Sequence, residues 1–169
     1  APFPEIIPIT NVGVDTLSDR LGAAHWHTDQ SFTRELSSVT MLYSVAAPAI
    51  GGETRFCDMV AAYEALPATK RQAIDSLVVE HRHGTSVAAQ PGDHTPIPHK
   101  NWDQGQAVWH PLVRHHPITG CRTLYAVTGT SQGIAGMAHE SAVALLRELT
   151  QHVFQPRFVT EHRHQVNDL

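Results

Sequence analysis

The clearest chemical signal in the sequence is a histidine and an aspartate two positions apart, His27 and Asp29, in the run Trp-His-Thr-Asp. On a β-strand, residues i and i+2 point to the same face, so this spacing predicts an imidazole beside a carboxylate. They are two of the three groups of a 2-His-1-carboxylate triad, which binds Fe(II) and leaves coordination positions open. His25 would share that face, and we interpret it as a packing residue. A His-x-Asp triplet alone is weak evidence, because short motifs arise by chance.

A second segment with chemical potential begins at Gly51–Gly52 and continues into Thr54. Two adjacent glycines permit a tight turn with positive φ angles. Thr54 would then begin a strand and present a hydroxyl that can donate a hydrogen bond to a carboxylate. Taken alone, the segment is more typical of an ordinary hairpin turn followed by a β-favouring threonine.

Strands and a few helices must position these groups. Runs rich in β-branched and aromatic residues predict strands at Glu5–Val12, Ser38–Ala47, Leu77–His83, Ala107–His115, Arg122–Thr128 and Arg157–His164. Helices are predicted at Met59–Leu66 with Asp58 as N-cap, at Pro67–Leu77, and at Ala138–Val153, where apolar residues recur with a 3.6-residue period. Residues 90–99 contain three prolines and a glycine. They predict a long loop, of the kind that often forms a lid.

Composition narrows the class of protein. A chain of 169 residues with 41% hydrophobic and 17% charged residues suits one globular domain and excludes a charge-rich disordered segment. The net charge of −4 argues against a nucleic-acid partner, and the absence of a long apolar run argues against a membrane-spanning helix. Two cysteines are too few for a disulfide framework, which favours a cytoplasmic location. We expect Cys57 to be a small buried hydrophobe.

Several spaced motifs together resemble one family, the Fe(II)/2-oxoglutarate dioxygenases related to taurine dioxygenase and 2,4-dichlorophenoxyacetate dioxygenase. The resemblance covers nearly the whole chain from Pro4 onward, and Phe56–Met59 and the closing residues from Glu161 are most similar to the 2,4-dichlorophenoxyacetate branch. The stretches that carry it are Trp26–Phe32, Pro48–Thr54, Ala61–Pro67, His110–Arg114 and His116–Gly120.

The resemblance implies a role for each matching residue. His27 and Asp29 match the first two iron ligands, and Thr54 matches the threonine that binds the distal carboxylate of 2-oxoglutarate. Gln30 follows the iron-binding aspartate, where relatives bring backbone close to the substrate. The family's third ligand, a histidine, and its 2-oxoglutarate-binding arginine would follow Leu169, so neither His162 nor His164 matches them.

The fold that the resemblance implies is a double-stranded β-helix, a jelly-roll with helices outside. We expect residues 1–169 to be a single partial domain, incomplete at both ends, that lacks its closing C-terminal strand. The 169-residue chain by itself is expected to be inactive. The oligomeric state stays open, a homo-oligomer included.

For the intact protein, the resemblance implies hydroxylation of a small organic acid with Fe(II), 2-oxoglutarate and O2. A 2,4-dichlorophenoxyacetate-like substrate would give succinate, CO2, a phenol and glyoxylate. Three alternatives stay open: a taurine, alkylsulfonate or sulfate-ester dioxygenase; for the 169-residue chain, a non-catalytic jelly-roll fragment that lacks the third iron ligand; and a zinc hydrolase built on His27 and Asp29. The stretch Leu21–His25 lacks the asparagine with which taurine dioxygenases contact their substrate, so taurine is disfavoured.

Overall fold

The computed structural model describes residues 6, 9, 26–83, 87 and 106–169. Within these residues, seven strands and three helices follow one another along the chain. They are β1 (Thr54–Cys57), α1 (Met59–Glu64), α2 (Ala68–Ile74), β2 (Val78–His81), β3 (Val108–Pro111), β4 (Val113–His115), β5 (Arg122–Leu124), β6 (Ser131–Ile134), α3 (His139–Val153), a 3-10 turn (Pro156–Phe158) and β7 (Val159–His162).

The described strands form three small antiparallel sheets. β1 pairs with β7, with Thr54 opposite His162. β2 lies between β3 and β6 in the second sheet, and β4 pairs with β5 in the third. The prediction of a mainly β architecture with flanking helices is confirmed.

Helix α3 supplies much of the hydrophobic core. Ala142, Leu146, Leu149 and Val153 recur every three or four residues and are fully buried, which is the pattern of a helix with one face on the core. They pack with α1 and with β-strand residues such as Val79 and Leu124. The helix predicted at Ala138–Val153 is therefore confirmed to within one residue.

Asp58 caps α1 as predicted. Its Oδ1 accepts hydrogen bonds from the backbone N–H groups of Val60 and Ala61 at 3.0 and 2.9 Å, which satisfies donors that the first helical turn leaves unpaired. The backbone N–H of Asp58 donates to the carbonyl of Phe158. This bond ties the end of β1 to the start of β7.

The strand predicted at Ser38–Ala47 is wrong. These residues are irregular, although Val39, Met41, Tyr43 and Val45 alternate as a strand would and are all more than half exposed. A strand requires a partner ladder, and here the backbone bonds to the C-terminal segment are made at Ser44, whose N–H donates to Asp168 and whose carbonyl accepts from Asn167. Propensity alone therefore does not produce a strand in this segment.

Other predicted boundaries shift for local reasons. The run Ala107–His115 forms two strands in different sheets, separated by the fully buried Leu112. The run from Arg122 stops at Leu124 because Ala126 adopts a φ of +41°, which a continuous strand does not allow. β7 starts at Val159, since Pro156–Phe158 form a 3-10 turn.

The sequence does not predict β6, because Ser-Gln-Gly-Ile carries little β-propensity.

Some predictions fall outside the described residues. The loop predicted at 90–99 lies there, as does most of the strand predicted at Glu5–Val12. Of the helices in the part of the chain that the structure describes, none is long and apolar enough to cross a membrane.

Candidate metal and dicarboxylate site

His27 and Asp29 lie side by side, with His27 Nε2 3.2 Å from Asp29 Oδ1. The prediction that a strand would align them is wrong, because residues 26–28 are irregular and a turn begins at Asp29. The pairing survives because the turn brings the two side chains together. Their side chains are 32% and 44% exposed, so an ion can reach both donor atoms. His25 lies outside the described residues.

The carboxylate of Asp29 is oriented by a residue that the sequence did not indicate. Thr40 Oγ1 donates a hydrogen bond of 2.7 Å to Asp29 Oδ2. With Oδ2 held by this hydroxyl, Oδ1 is directed at His27. Outer hydrogen bonds of this kind fix the orientation of metal ligands. A polar residue eleven positions away gives no local signal in the sequence.

The distance between the two donor atoms fits one metal ion. Two ligand atoms that each lie about 2.1 Å from an ion, at a right angle, are about 3.0 Å apart. The observed 3.2 Å is close to that separation. An imidazole and a carboxylate are also donors that suit Fe(II). The pair can therefore supply two adjacent ligands to one ion, and a further ligand must complete the set.

Gly129 packs against the backbone of Trp26 and His27. A Cβ at this position would lie 3.1 Å from His27 Cα and 3.2 Å from the Trp26 carbonyl oxygen, and the residue has a φ of +85°. Only glycine meets both conditions without strain. Trp26 itself stacks on Phe154, with ring centroids 4.4 Å apart. These contacts fix the backbone that carries His27.

Thr54 begins β1 as predicted, and Gly51 and Gly52 each adopt a φ of +78° in the turn before it. The hydroxyl of Thr54 contacts the C-terminal segment, where its Oγ1 lies 2.9 Å from His164 Nε2. His164 Nδ1 in turn lies 3.1 Å from Ser44 Oγ. The sequence did not indicate that His164 and Ser44 lie next to Thr54.

Gln30 occupies the turn after Asp29 with a φ of +55°. Its carbonyl accepts from Thr33 N and Thr33 Oγ1, at 3.0 and 2.8 Å. Its side-chain Oε1 accepts from Ser37 Oγ at 2.7 Å. The residue is exposed, and its backbone is held in one conformation next to the ligand pair.

One short segment connects the ligand pair with the Thr54 group. Thr40 contacts Asp29, and Ser44 contacts His164 and, through its backbone, residues 167 and 168. Four residues of extended chain span at most about 14 Å. The Cα atoms of Thr40, which contacts Asp29, and of Ser44, which contacts His164, therefore lie no more than about 14 Å apart.

A buried histidine lies under the turn that follows Asp29. His81 is fully buried, and its Nδ1 lies 2.9 Å from Thr130 Oγ1, which is itself 2.7 Å from Ser31 Oγ. Burial, with a smaller contribution from the neighbouring His110, lowers the pKa of His81 from 6.5 to about 4. His81 is therefore neutral at ordinary pH. Burial, with a smaller contribution from Asp58, likewise raises the pKa of the Cys57 thiol to about 11. Cys57 is only partly buried against the core, so its prediction as a buried hydrophobe holds in part.

Acid should destabilise the protein through His81. Between pH 6.5 and about 4 the unfolded histidine is protonated while the folded one is not, so the unfolded state binds more protons and stability falls as pH falls. Below pH 4, the total loss in the free energy of unfolding that comes from His81 is about 3 kcal/mol. Urea unfolding of the metal-free protein at several pH values measures it. The His81→Asn variant should be less stable than wild type at pH 8, but its free energy of unfolding should fall less between pH 6.5 and about 4. The control His139→Asn, at an exposed position, should show the same dependence of stability on pH as wild type.

The chain belongs to the taurine catabolism dioxygenase TauD, TfdA family, whose model matches residues 3–169. It is 32% identical to an alpha-ketoglutarate-dependent 2,4-dichlorophenoxyacetate dioxygenase of Cupriavidus pinatubonensis, over 99% of this chain and 60% of that relative. It is 36% identical to an alpha-ketoglutarate-dependent sulfate ester dioxygenase of Pseudomonas putida, over 60% of this chain and 36% of that relative.

A solved structure of AAD-2 in complex with Mn(II) and N-oxalylglycine is also similar, with a TM-score of 0.71, 30% identity, and coverage of 85% of this chain and 55% of that one. The chain spans 58–60% of the length of the two curated 2,4-dichlorophenoxyacetate dioxygenases that it matches. The family resemblance predicted from the sequence is confirmed.

Proposed function

We propose that the protein is an Fe(II)- and 2-oxoglutarate-dependent dioxygenase that hydroxylates a small organic acid. The observation that carries this proposal is the pairing of His27 Nε2 with Asp29 Oδ1 at 3.2 Å, in a chain of the TauD, TfdA family. Relatives named as alpha-ketoglutarate-dependent dioxygenases support it. The complete domain is proposed to be a jelly-roll, in which residues 1–169 form one part.

Each site residue has a proposed task. His27 and Asp29 hold Fe(II) in adjacent positions, and Thr40 keeps the Asp29 carboxylate turned towards the ion. Thr54 donates a hydrogen bond to the distal carboxylate of 2-oxoglutarate. Gln30 presents its constrained backbone to the substrate. When bound, Fe(II) supplies the redox chemistry that couples oxidative decarboxylation of 2-oxoglutarate, to succinate and CO2, with insertion of one oxygen atom of O2 into the substrate.

The substrate class that we favour is an aryloxyalkanoate such as 2,4-dichlorophenoxyacetate, because the matches that cover nearly the whole chain include two dioxygenases named for it. Hydroxylation of the carbon between the ether oxygen and the carboxylate gives a hemiacetal, which breaks down to a phenol and glyoxylate. The second candidate is a sulfate ester, and the 36% identity to the Pseudomonas putida sulfate ester dioxygenase supports it.

Product analysis of the complete encoded chain tests the proposal. Succinate should form only with Fe(II), 2-oxoglutarate and O2 present, and an aryloxyacetate should yield phenol and glyoxylate in equal amounts with it. Sulfate and an aldehyde from an alkyl sulfate, or sulfite and an aldehyde from an alkylsulfonate, would instead identify the alternative substrates. Turnover with zinc but not with Fe(II), or no binding of 2-oxoglutarate to the Mn(II)-loaded protein, would contradict dioxygenase activity.

A further inference from the structure

A row of three side chains ends at the hydroxyl proposed to bind the co-substrate. Ser44 Oγ lies 3.1 Å from His164 Nδ1, and His164 Nε2 lies 2.9 Å from Thr54 Oγ1. These residues come from three separate parts of the chain: the segment after the ligand turn, the stretch beyond β7, and the first residue of β1. His164 is partly buried between the two hydroxyls.

The hydroxyl of Thr54 has one proton to give. A carboxylate only accepts hydrogen bonds, so Thr54 can bind it only if that proton is not already donated to His164. His164 Nε2 must then carry a hydrogen and donate to Thr54 Oγ1. In the neutral ring, Nδ1 is left as an acceptor, and Ser44 Oγ can donate to it. All three hydrogen bonds then run in one direction, from Ser44 towards the ligand, and each strengthens the next.

We propose that His164 is a positioning residue for the co-substrate: through Nε2 it holds the Thr54 hydroxyl so that its proton is directed at the distal carboxylate of a 2-oxo dicarboxylic acid. Binding of that carboxylate selects the Nε2–H tautomer of His164. This inference rests on the proposed function, because it assumes that Thr54 binds 2-oxoglutarate. It adds a reason for selectivity towards a dicarboxylate, since the alternative tautomer leaves Thr54 without a proton to donate.

A metal-ligand role for His164 is the competing interpretation. Donor atoms of His162, His164 and Asp168 lie within 4.8 Å of one another. However, both ring nitrogens of His164 contact hydroxyl groups, and His162 Nε2 lies 3.2 Å from Asp168 Oδ2. A metal ion would have to break these contacts, so the hydrogen-bonded arrangement accounts for the cluster.

Variants of His164 test the inference in the complete encoded chain. His164→Leu removes the donor, whereas His164→Gln keeps an amide N–H near the position of Nε2. Titration calorimetry with the Mn(II)-loaded protein measures the Kd of 2-oxoglutarate and of 2-oxopentanoate, which lacks the distal carboxylate. We expect His164→Leu to weaken 2-oxoglutarate binding about tenfold or more, the loss typical of a hydrogen bond to a charged group. Binding of 2-oxopentanoate should change less than twofold, and His164→Gln should recover most of the affinity.

The same variants should separate KM from kcat. His164→Leu should raise the KM for 2-oxoglutarate about tenfold and leave kcat within about twofold, because the interaction is made before the reaction begins. Thr54→Val should have a similar effect, and the double variant should be no worse than either single one, as expected for residues that act in series. The exposed His139→Leu and Ser141→Ala serve as matched controls without effect.

A spectroscopic readout does not depend on turnover or on folding of the leucine variant. Nitrogen NMR of the imidazole ring distinguishes a protonated from an unprotonated Nε2 in wild type, and 2-oxoglutarate should leave His164 in the Nε2–H form. The inference would be overturned if His164→Leu lost affinity equally for 2-oxoglutarate and 2-oxopentanoate, or if its affinity for 2-oxoglutarate were unchanged. An Nδ1–H tautomer of His164 in the wild-type complex would overturn it too. So would loss of Mn(II) binding in His164→Gln.

Failure of the proposed function gives a different result. Wild-type protein that binds neither 2-oxoglutarate nor 2-oxopentanoate would overturn both proposals. Wild-type protein that binds 2-oxoglutarate and forms succinate, with His164→Leu unchanged, would overturn only the role of His164.

Discussion

In the complete encoded chain, replacing Asp29 with alanine is expected to reduce the proposed dioxygenase turnover by at least about 10³-fold, since a bound metal contributes several kcal/mol to catalysis and each 1.36 kcal/mol is worth a factor of ten. Asp29 supplies one of the two adjacent donor atoms, 3.2 Å from His27 Nε2. Without it, one imidazole from this turn faces the ion alone. His27→Ala should have an effect of the same order.

Metal binding and stability distinguish loss of a ligand from loss of the fold. A metal ion that binds only the folded state stabilises it by mass action, so Mn(II) should raise the Tm of the wild-type protein. Asp29→Ala should abolish that increase and leave the metal-free Tm nearly unchanged, because the Asp29 side chain is 44% exposed. Glu35→Ala, an exposed acidic residue six positions further on, is the matched control and should bind Mn(II) normally. A normal Mn(II)-dependent Tm increase in Asp29→Ala would refute its role as a ligand.

The substitution Gly129→Val is expected to damage both stability and metal affinity. Valine is strongly strained at a φ of +85°, and its Cβ would lie 3.1 Å from His27 Cα. We expect a loss of about 3 kcal/mol in the free energy of unfolding, at the upper end for a residue forced into this region. Mn(II) affinity should fall about 10- to 100-fold, as is typical when the support of a ligand is disturbed.

Gly136 provides a control with the same backbone strain. Its φ is +72°, and a Cβ there would meet no atom within 4 Å. Gly136→Val should therefore lose stability in urea unfolding but keep wild-type Mn(II) affinity. If both valine variants lose the same Mn(II) affinity, the contact between Gly129 and His27 has no specific role, and the effect of Gly129→Val is global.

Helices were the elements best predicted from sequence. The 3.6-residue period of Ala142, Leu146, Leu149 and Val153 and the cap at Asp58 depend on neighbours within one or two turns, so they are readable locally. Strands depend on partners elsewhere. The segment Ser38–Ala47 has the composition of a strand and is not one, while Ser131–Ile134 lacks that composition and is a strand because β2 pairs with it.

The same distinction between local and long-range determinants applies to the candidate site. The chemical groups of the site are readable from the sequence: an imidazole and a carboxylate two residues apart at His27 and Asp29, and a hydroxyl at Thr54 after a turn that requires glycine. The spacing keeps His27 and Asp29 close even though the segment is a turn rather than a strand. The family resemblance was also readable from the sequence, because several such motifs occur along it in the family's order.

The way those groups are held depends on contacts that form only in the folded chain. Thr40 reaches Asp29 across eleven positions, Gly129 packs on the backbone of His27, and His164 contacts Thr54 across 110 positions. Pairings at such separations depend on how sheets and turns are brought together, and no periodicity or local propensity encodes them. Ordinary hydroxyl, glycine and histidine residues acquire a role at this site only through the partner that the fold gives them.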